Sequence, residues 1–379
     1  MLDLSRQYEK IRPEILAAIE KVCASSHYIL GEEVTAFESE LAAFSGATSA
    51  VGCASGTDAL WLALVAAGVG PGDSVLTTPF SFFASASAIV RAGGRPVFVD
   101  IDPRTWNLDA PALAKTLHGE RKARLRAVLP VHLYGQCADM DALGGLAEEF
   151  KLVVIEDAAQ AIGAEWRGKN QGRSKAGALG AAAAFSFYPT KNLSAYGDAG
   201  AVTTMDADWA EHMRRLRNHG SPRRYVHEEM GWNSRLDSMQ AAVLRVKMRY
   251  ISEWNEARRE RALAYDELLV AAGLASGGDA LVTLPWRDPQ ARHVFHQYVI
   301  RVQRRDELRA FLADRGVGSE VYYPIPLHLQ SCFAYLGYRE GDFPEAERAA
   351  KEVLALPMFP ELRGDEQQYV VACMAEFFG

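Results

Sequence analysis

The feature that most constrains the fold is an alternation of short apolar runs with helical patterns between residues 49 and 204. The apolar runs show no polar–apolar alternation, which is typical of strands that are covered on both faces. The predicted strands are Ser49–Cys53, Ser74–Thr78, Pro96–Ile101, Leu125–His132, Leu152–Asp157, Ala182–Phe187 and Gly200–Thr204. Strands that alternate with helices form a mostly parallel sheet. The sequence therefore predicts an α/β fold with a seven-stranded, mostly parallel sheet.

The helical patterns in this region are Thr57–Ala67, Phe83–Ala92, Pro111–Leu117 and Asp141–Phe150. After residue 235 the pattern changes, because Leu236–Ala272 is a charged, amphipathic stretch without proline that predicts one or two long helices. Beyond it we predict a glycine-rich break at Gly273–Gly278, strands at Val294–Val302 and Ser319–Tyr323, and helices at Asp306–Asp314 and Pro344–Leu354. We expect a large domain over residues 1–235, with an N-terminal helical arm. Residues 236–379 would form the long helix and a smaller α/β domain.

Charge and cysteine content exclude several classes of function. The formal net charge of −7 argues against nucleic-acid binding. The five cysteines are scattered without the spacing of a metal site, as is usual in a reducing cytoplasm. The most apolar run, Ala59–Val69, is too short to span a bilayer, and the N-terminus lacks the pattern of a secretory signal. We expect a cytoplasmic protein with no metal, nucleic-acid or membrane partner.

Asp157 ends the apolar run Val153–Asp157 and would point into the crevice at the carboxyl edge of the sheet. A buried carboxylate requires a cationic partner, because an unpaired buried charge is costly. The protonated ring nitrogen of pyridoxal phosphate (PLP) is such a partner. The alternative is an N-cap of a short helix, and the residue type alone does not decide between them.

Lys191 follows an apolar, aromatic strand that breaks at Pro189. Most lysines are solvated surface residues, but this one stands away from any run of charges. Such a lysine can be desolvated, which lowers its pKa toward the free amine that a Schiff base requires. Ser186, at the end of the same strand, could donate its hydroxyl to a phosphate or to the local backbone.

The segment Ala54–Leu60 combines a strand end, a glycine and a helix start. Backbone N–H groups at a helix N-terminus bind phosphate, and Gly56 permits close approach. The hydroxyl of Thr57 could contribute. The alternative is an ordinary helix capped by Ser55 or Thr57.

The segment Gly231–Asp237 lies immediately before the long helical stretch. Asn233 and Arg235 could supply polar contacts to a ligand, whereas Asp237 could cap the helix or pair locally. The chemistry of these side chains leaves the role of the segment open.

Taken together, these segments resemble the DegT/DnrJ/EryC1/StrS sugar aminotransferases, which have the aspartate-aminotransferase-like (type I) fold of PLP-dependent transferases. The resemblance runs from Gly31 to Pro360. The motifs that carry it are Glu156–Gln160, Phe185–Leu193 and Asn233–Asp237, which keep the order and spacing of the family.

The resemblance assigns roles to residues around the cofactor ring. Lys191 would carry PLP as a Schiff base and later shuttle the proton. Asp157 would pair with the ring nitrogen, and Gln160 would bond the ring hydroxyl. Phe82 would stack on the ring, although core packing is the alternative and Phe80 or Phe83 could be confused with it.

The resemblance also implies how the phosphate is bound. Gly56, Thr57 and Ser186 would hold it, joined by Asn233 of a partner subunit. The chain would therefore be a homodimer with shared active sites.

Three stretches resemble the branch of the family that aminates a ketone at carbon three of nucleotide-linked deoxysugars. They are Pro130–Gln136, Tyr323–Gln330 and Leu336–Pro344. In this branch His328 would lie near the sugar nucleotide, and Tyr188 is the second residue that we predict to bind substrate. The alternative for His328 is a loop histidine that bonds to the backbone.

Three positions depart from the family pattern. Ile162 stands where histidine is common, Ser194 where glycine is common, and Gly197–Gly200 reads Gly-Asp-Ala-Gly in place of the frequent Gly-Glu-Gly-Gly. None of these departures removes a predicted cofactor contact.

The resemblance predicts a transamination in which L-glutamate converts PLP to pyridoxamine phosphate and a dTDP-3-keto-6-deoxyhexose then accepts the amine. One alternative is an aminotransferase for a 4-keto sugar, a UDP-linked sugar or a cyclitol. A dehydratase of the same fold would lack the lysine that stands at 191. A further alternative is a PLP-binding regulatory protein without turnover.

Overall fold

The structure is a computed structural model that describes residues 2–119, 124–169, 172–276 and 280–379. Its strands are β1 Ser49–Cys53, β2 Asp73–Thr77, β3 Arg95–Phe98, β4 Arg124–Leu129, β5 Val153–Asp157, β6 Glu165–Gly168, β7 Gly172–Lys175, β8 Ala182–Ser186, β9 Gly200–Thr204, β10 Val282–Thr283, β11 Ala291–Arg292, β12 Tyr298–Val302 and β13 Val353–Leu356. Its α-helices are α1 Leu4–Ser25, α2 Glu32–Ser45, α3 Gly56–Ala66, α4 Ala84–Arg91, α5 Ala110–His118, α6 Met140–Glu149, α7 Ala207–Leu216, α8 Ser238–Met248, α9 Ile251–Ala271, α10 Arg305–Asp314, α11 Pro344–Glu352 and α12 Gly364–Phe378. Residues 277 and 278 of the predicted glycine-rich break lie outside the described residues.

The seven strands predicted between residues 49 and 204 form one sheet in the order β1-β9-β8-β5-β4-β2-β3. The pairs from β8 to β3 are parallel, whereas β9 runs antiparallel to both of its neighbours. The predicted mostly parallel α/β sheet is confirmed, with β9 as the reversed strand. Because Asp157 pairs with Ala184, the carboxyl ends of β5 and β8 lie side by side.

Helices cover both faces of this sheet, as its apolar strands require. Apolar side chains of α3, α4 and α7 belong to the cluster on one face, and those of α1, α2, α5, α6 and α8 belong to the cluster on the other. The helix α8 packs against α1 and α2, although it follows residue 235. The domain boundary at 235 stays a prediction.

The C-terminal part contains a second sheet in the order β10-β12-β13, packed against α10 and α12. The long helical stretch predicted over 236–272 forms as two consecutive helices, α8 and α9. Arg258 of α9 is buried, and its guanidinium donates to the carbonyls of Phe295, His296 and Met358, each at 3.2 Å. This side chain ties α9 to the loops beside the second sheet.

Two of the predicted strands are wrong in extent. Between Ser319 and Tyr323 only Glu320 forms a bridge, to Ala355 at the end of β13. The prolines that follow at 324 and 326 have no N–H to continue a ladder. The strand predicted at Val294–Val302 begins only at Tyr298, because the preceding loop includes Phe295 at a φ of 44°.

The β6–β7 hairpin and the helices α7 and α12 are additions that the sequence patterns did not predict. The predicted N-terminal helical arm is present as α1 and α2. None of the helices in the described ranges has the length and apolar character needed to cross a membrane.

Candidate active site

Asp157 and Lys191 come together at the carboxyl edge of the central sheet. Asp157 is the last residue of β5, and Lys191 lies five residues beyond the end of β8, in a turn closed by its N–H and the carbonyl of Tyr188 at 2.8 Å. The charge of Lys191 is near enough to lower the pKa of Asp157, and the charge of Asp157 raises the pKa of Lys191. The two residues that the sequence singles out therefore share one site.

The carboxylate of Asp157 is buried and held by two donors. Burial raises its pKa, whereas the hydroxyl of Ser85, at 2.7 Å from Oδ2, lowers it. The N–H of Ala159 donates to Oδ1 at 3.2 Å and acts in the same direction. The chain turns after residue 157 without forming a helix, so the helix N-cap interpretation is wrong.

The neighbouring carboxylate, Glu156, points to the opposite side of β5. It is fully buried, and its oxygens accept backbone N–H groups from Gly177, Leu179 and Gly180. Its Oε2 also lies 2.9 Å from Nε2 of His132. The carboxylate of Glu156 is therefore occupied by structural hydrogen bonds, and Asp157 is the carboxylate that lies near Lys191.

Desolvation gives Lys191 the character of a nucleophile. Burial lowers its pKa to about 8, and the nearby Asp157 counteracts part of that effect. At neutral pH a lysine of this kind holds a far larger fraction of free amine than a solvated lysine. The predicted desolvation of Lys191 is thus supported by its surroundings.

The segment after β1 builds a cradle at the N-terminus of α3. Ser55 caps the helix, since its Oγ accepts the N–H of Asp58 at 3.1 Å. A Cβ added to Gly56 would lie 2.5 Å from the Cβ of Ser186, so glycine is required for this approach. Thr57 stands in the first turn, partly exposed, and is not the cap. Backbone N–H groups in such a turn bind phosphate.

Phe82 is an aromatic residue whose side chain is open to a ligand. Its side chain is 57% exposed, and its ring centroid lies 6.2 Å from that of Tyr323. Phe80 is fully buried, and Phe83 packs against Phe333 at 5.4 Å. Phe80 is thus closed to a ligand, whereas Phe83 is 43% exposed, and the choice of Phe82 stays a prediction.

Gln160 is oriented by two contacts. Its Oε1 accepts the N–H of Tyr134 at 2.7 Å, and its Nε2 donates to the hydroxyl of Tyr323 at 3.1 Å. The second hydrogen on Nε2 can therefore serve a ring hydroxyl, as the resemblance implies. Tyr323 and Ser85 are site residues that the sequence analysis did not identify.

Asn233 lies at the surface, opposite Asn218 in an antiparallel bridge. The next residue, Ser234, is buried and donates to Oδ2 of Asp58 at 2.7 Å, so the segment is anchored to the start of α3. A contact of Asn233 with the phosphate of a partner subunit stays a prediction.

The two predicted substrate residues differ in exposure. Tyr188 is 52% exposed, so it can meet a ligand. His328 is 2% exposed, and its Nε2 lies 3.0 Å from Oε1 of Glu347. The partner of His328 is thus a carboxylate and not the backbone, and the geometry supports a role in holding its loop.

The residues fit PLP in three respects. A lysine of lowered pKa can bond to the aldehyde, a buried carboxylate can face the ring nitrogen, and the glycine cradle at α3 can receive the phosphate. These three features follow β1, β5 and β8, whose carboxyl ends share one edge of the sheet, where ligands of such sheets bind.

Comparison with known proteins supports this interpretation. The chain is 54% identical over 378 residues to the pleiotropic regulatory protein of Geobacillus stearothermophilus, covering 100% of this chain and 98% of that protein. It is 44% identical to the UDP-N-acetyl-3-dehydro-alpha-D-glucosamine 3-aminotransferase of Acidithiobacillus ferrooxidans, over 97% and 94% of the two chains. It is 45% identical to the dTDP-3-amino-3,4,6-trideoxy-alpha-D-glucose transaminase of Streptomyces venezuelae, over 99% and 95%.

Solved structures show the same fold. The DesV protein of S. venezuelae, solved in complex with a ketimine intermediate, superposes with a TM-score of 0.92 at 44% identity, over 99% of this chain and 97% of that one. The NtdA protein of Bacillus subtilis, solved with bound PMP, superposes with a TM-score of 0.85 at 29% identity, over 97% and 82%. The sequence pattern of the DegT/DnrJ/EryC1/StrS aminotransferase family matches residues 9–375. The chain therefore belongs to this family and is a PLP-dependent aminotransferase of the type I fold.

Proposed function

We propose that the protein transfers an amino group from L-glutamate to the keto group of a nucleotide-linked sugar, and that the preferred acceptor is a dTDP-3-keto-6-deoxyhexose. The names of the Streptomyces and Acidithiobacillus relatives support amination at carbon three, one on a dTDP sugar and the other on a UDP sugar. The two names agree on the carbon that is aminated but differ in the nucleotide, so they support the position of the amine more strongly than the choice of dTDP. The product would be the dTDP-3-amino sugar.

The observation that carries the proposed reaction is that Lys191 and Asp157 are near enough for each charge to shift the pKa of the other. Bound PLP supplies an electron sink that acidifies the carbon bearing the amine. The Nζ of Lys191 would move the proton from Cα of glutamate to the cofactor carbon that receives the amine and, in the second half of the cycle, from that carbon to carbon three of the sugar. Asp157 would hold the positive charge on the ring nitrogen throughout.

The remaining residues would orient the cofactor. Gln160 would donate to the ring hydroxyl, and Phe82 would cover one face of the ring. Gly56, Thr57 and Ser186 would hold the phosphate.

The sugar nucleotide would enter over the exposed side of the site. Tyr188 is partly exposed there and is the substrate residue that we retain. His328 would act indirectly, since its contact with Glu347 holds the 323–330 segment that includes Tyr323.

We further propose a homodimer with shared active sites. The exposure of Asn233, next to a serine anchored at the start of α3, supports a contact of Asn233 with the phosphate of a partner subunit.

Two experiments test the proposal. Borohydride reduction of the PLP-loaded protein followed by peptide mapping should place the pyridoxyl group on Lys191, and Lys191→Ala should lose both the adduct and turnover. Steady-state assays with glutamate against dTDP-3-keto, dTDP-4-keto and UDP-3-keto sugars should give the highest kcat/KM for the first. A higher value for another acceptor would overturn the substrate assignment.

The Geobacillus relative is named a regulatory protein, which favours a test of the alternative without turnover. Addition of glutamate should bleach the yellow absorption of the PLP-loaded protein as the cofactor accepts the amine. A regulatory protein without turnover would keep its colour.

A further inference from the structure

Two buried residues, Asn192 and Ser194, anchor the loop that follows Lys191 to neighbouring helices. Asn192 is 4% exposed and Ser194 is 2% exposed, so both side chains turn into the protein. Each of them bonds to a side chain of the helices that follow the large sheet: Ser194 to Lys247 of α8, and Asn192 to Asn255 of α9. The position of Lys191 thus depends on two helices that begin 47 and 60 residues later in the chain.

Lys247 is an unusual residue for the buried side of a helix. It is 1% exposed, and its Nζ lies 3.0 Å from Oγ of Ser194 and 4.3 Å from the ring centroid of Tyr196. Among the residues that the structure describes, no carboxylate forms an ion pair with it. Burial lowers the pKa of Lys247 to about 7. Burial of a lysine amine costs stability because its charged form loses solvation, so packing alone does not explain this residue.

The amide of Asn192 can be oriented from its partners. Its Nδ2 lies 3.3 Å from the carbonyl of Val294 and 2.8 Å from Oδ1 of Asn255. The Nδ2 of Asn255 in turn donates to the carbonyl of Ile162 at 2.9 Å. Since backbone carbonyls only accept, both amides have one orientation, and Oδ1 of Asn192 must face His296.

His296 completes the network beside Lys191. Its Nδ1 lies 3.1 Å from Oδ1 of Asn192, so Nδ1 carries the proton. Burial, together with the charge of Lys191, holds the pKa of His296 well below its ordinary value, and the ring is neutral. The proton on Nδ1 leaves Nε2 as an acceptor. The network therefore places a neutral ring next to the amine.

We propose that Lys247 and Asn255 are positioning residues for Lys191: they bind the loop 191–196 at Ser194 and Asn192 and so fix where the amine meets the cofactor. This inference rests on the proposed role of Lys191. A displacement of a reacting group by about 1 Å can cost about a hundredfold in rate, which is a sufficient reason to retain two buried polar contacts beneath one loop.

The test uses the PLP-loaded protein with the variants Lys247→Met and Asn255→Leu. Each removes the polar contact and keeps a side chain of similar volume. We expect the rate of the half-reaction with glutamate to fall by about tenfold or more, with KM for glutamate changed less than about threefold. We also expect the visible circular dichroism of the bound cofactor to lose about half of its intensity, because the asymmetry of the site depends on the loop.

Matched controls come from the same chain. Lys175 donates to the carbonyl of Phe44 at 2.8 Å and lies 3.9 Å from its ring centroid, on a hairpin of another sheet. Gln367 is 1% exposed and donates to the carbonyl of Arg261 at 2.7 Å. Lys175→Met and Gln367→Leu should lower the thermal midpoint without changing the cofactor spectrum or the half-reaction rate.

The conservative variant Ser194→Ala serves if either large substitution prevents folding, since it removes only the hydroxyl that Lys247 contacts. It should reduce the half-reaction rate in the same way. If Lys247→Met, Asn255→Leu and Ser194→Ala match the controls in rate and spectrum, the inference is wrong. If the native protein shows no borohydride adduct at Lys191, the proposed function fails instead.

Discussion

Ser85 donates its hydroxyl to Oδ2 of Asp157 across 2.7 Å, and Oγ of Ser81 lies 2.8 Å from that of Ser85. All three side chains are buried. The carboxylate is thus held in one orientation by a chain of hydroxyls that starts on the loop before α4. A hydrogen bond to a buried charge is stronger than one between neutral groups, so Ser85 is an integral part of this site.

Ser85→Ala should lower kcat by about tenfold, because the pKa of Asp157, already raised by burial, loses the donor that lowers it. A carboxyl that is more often protonated supports the ring nitrogen less well. Steady-state assays at pH 7 measure the effect. Ser81→Ala, which removes a hydroxyl that does not touch Asp157, should cost less; equal losses in the two variants would argue against this explanation.

Asp157→Ala should reduce the rate far more than the PLP content. The variant loses the charge opposite the ring nitrogen but keeps Lys191 and the phosphate cradle. Absorbance of the dialysed protein gives the cofactor content, and single-turnover assays with glutamate give the rate. The reverse pattern, with PLP lost and rate per bound cofactor unchanged, would make Asp157 a structural residue.

The attachment of PLP to the apoprotein should follow the titration of Lys191. Burial lowers the pKa of Lys191 to about 8, and only the neutral amine attacks an aldehyde. The rate should therefore rise with a midpoint near pH 8 and level off above about pH 9, instead of rising toward pH 10. Stopped-flow absorbance after mixing with PLP measures it.

The variant Asp157→Asn tests whether the charge of Asp157 affects the pKa of Lys191. The charge of Asp157 raises the pKa of Lys191, so its removal should move the midpoint to lower pH. A midpoint unchanged in Asp157→Asn would show that the two side chains do not interact in the apoprotein.

Gly56→Ala should weaken PLP binding by about tenfold or more. The added Cβ would lie 2.5 Å from the Cβ of Ser186 and 3.1 Å from its Cα, so the end of β8 would have to move away from the cradle. Equilibrium dialysis gives the Kd. Gly144→Ala is the matched control: it lies inside α6 with no atom within 4 Å of the new Cβ, and it should stabilise the fold by up to about 1 kcal/mol with no loss of PLP.

Asn233→Ala should weaken PLP retention while the dimer persists, because the side chain is exposed in one chain and would act on the phosphate of the other. Sedimentation velocity and cofactor content measured on one sample check this. A variant that is fully active as a monomer would exclude the shared site.

The sequence predicted the positions that local chemistry determines. Asp157 ends an apolar strand and Lys191 follows one, which made both residues candidates, and the family resemblance then assigned their roles. The seven strands of the central sheet were found to within a few residues, since their apolar runs are continuous.

The parts that were missed depend on contacts between distant segments. Ser85 lies 72 residues before Asp157, and nothing in its local pattern distinguishes it from a capping serine. In the sequence Lys247 looks like a solvated helix lysine. Its burial could not be predicted, because it depends on contacts with Ser194 and Tyr196 in a distant loop. The strand predicted at Ser319–Tyr323 has the right residue types, but Tyr323 turns into the site to meet Gln160.

The hydrogen bonds of Arg258 restrict how the enzyme can open to admit its substrate. Its guanidinium binds three carbonyls from two separate loops, and Asn255 lies one turn earlier on the same helix. A rigid-body rotation of the C-terminal sheet would have to break all three hydrogen bonds of Arg258 or move α9 with it. Movement of α9 would displace Asn255 and the loop that follows Lys191. We therefore expect the entrance to be gated by side chains at its rim, such as Phe82 and Tyr188, while the scaffold stays still.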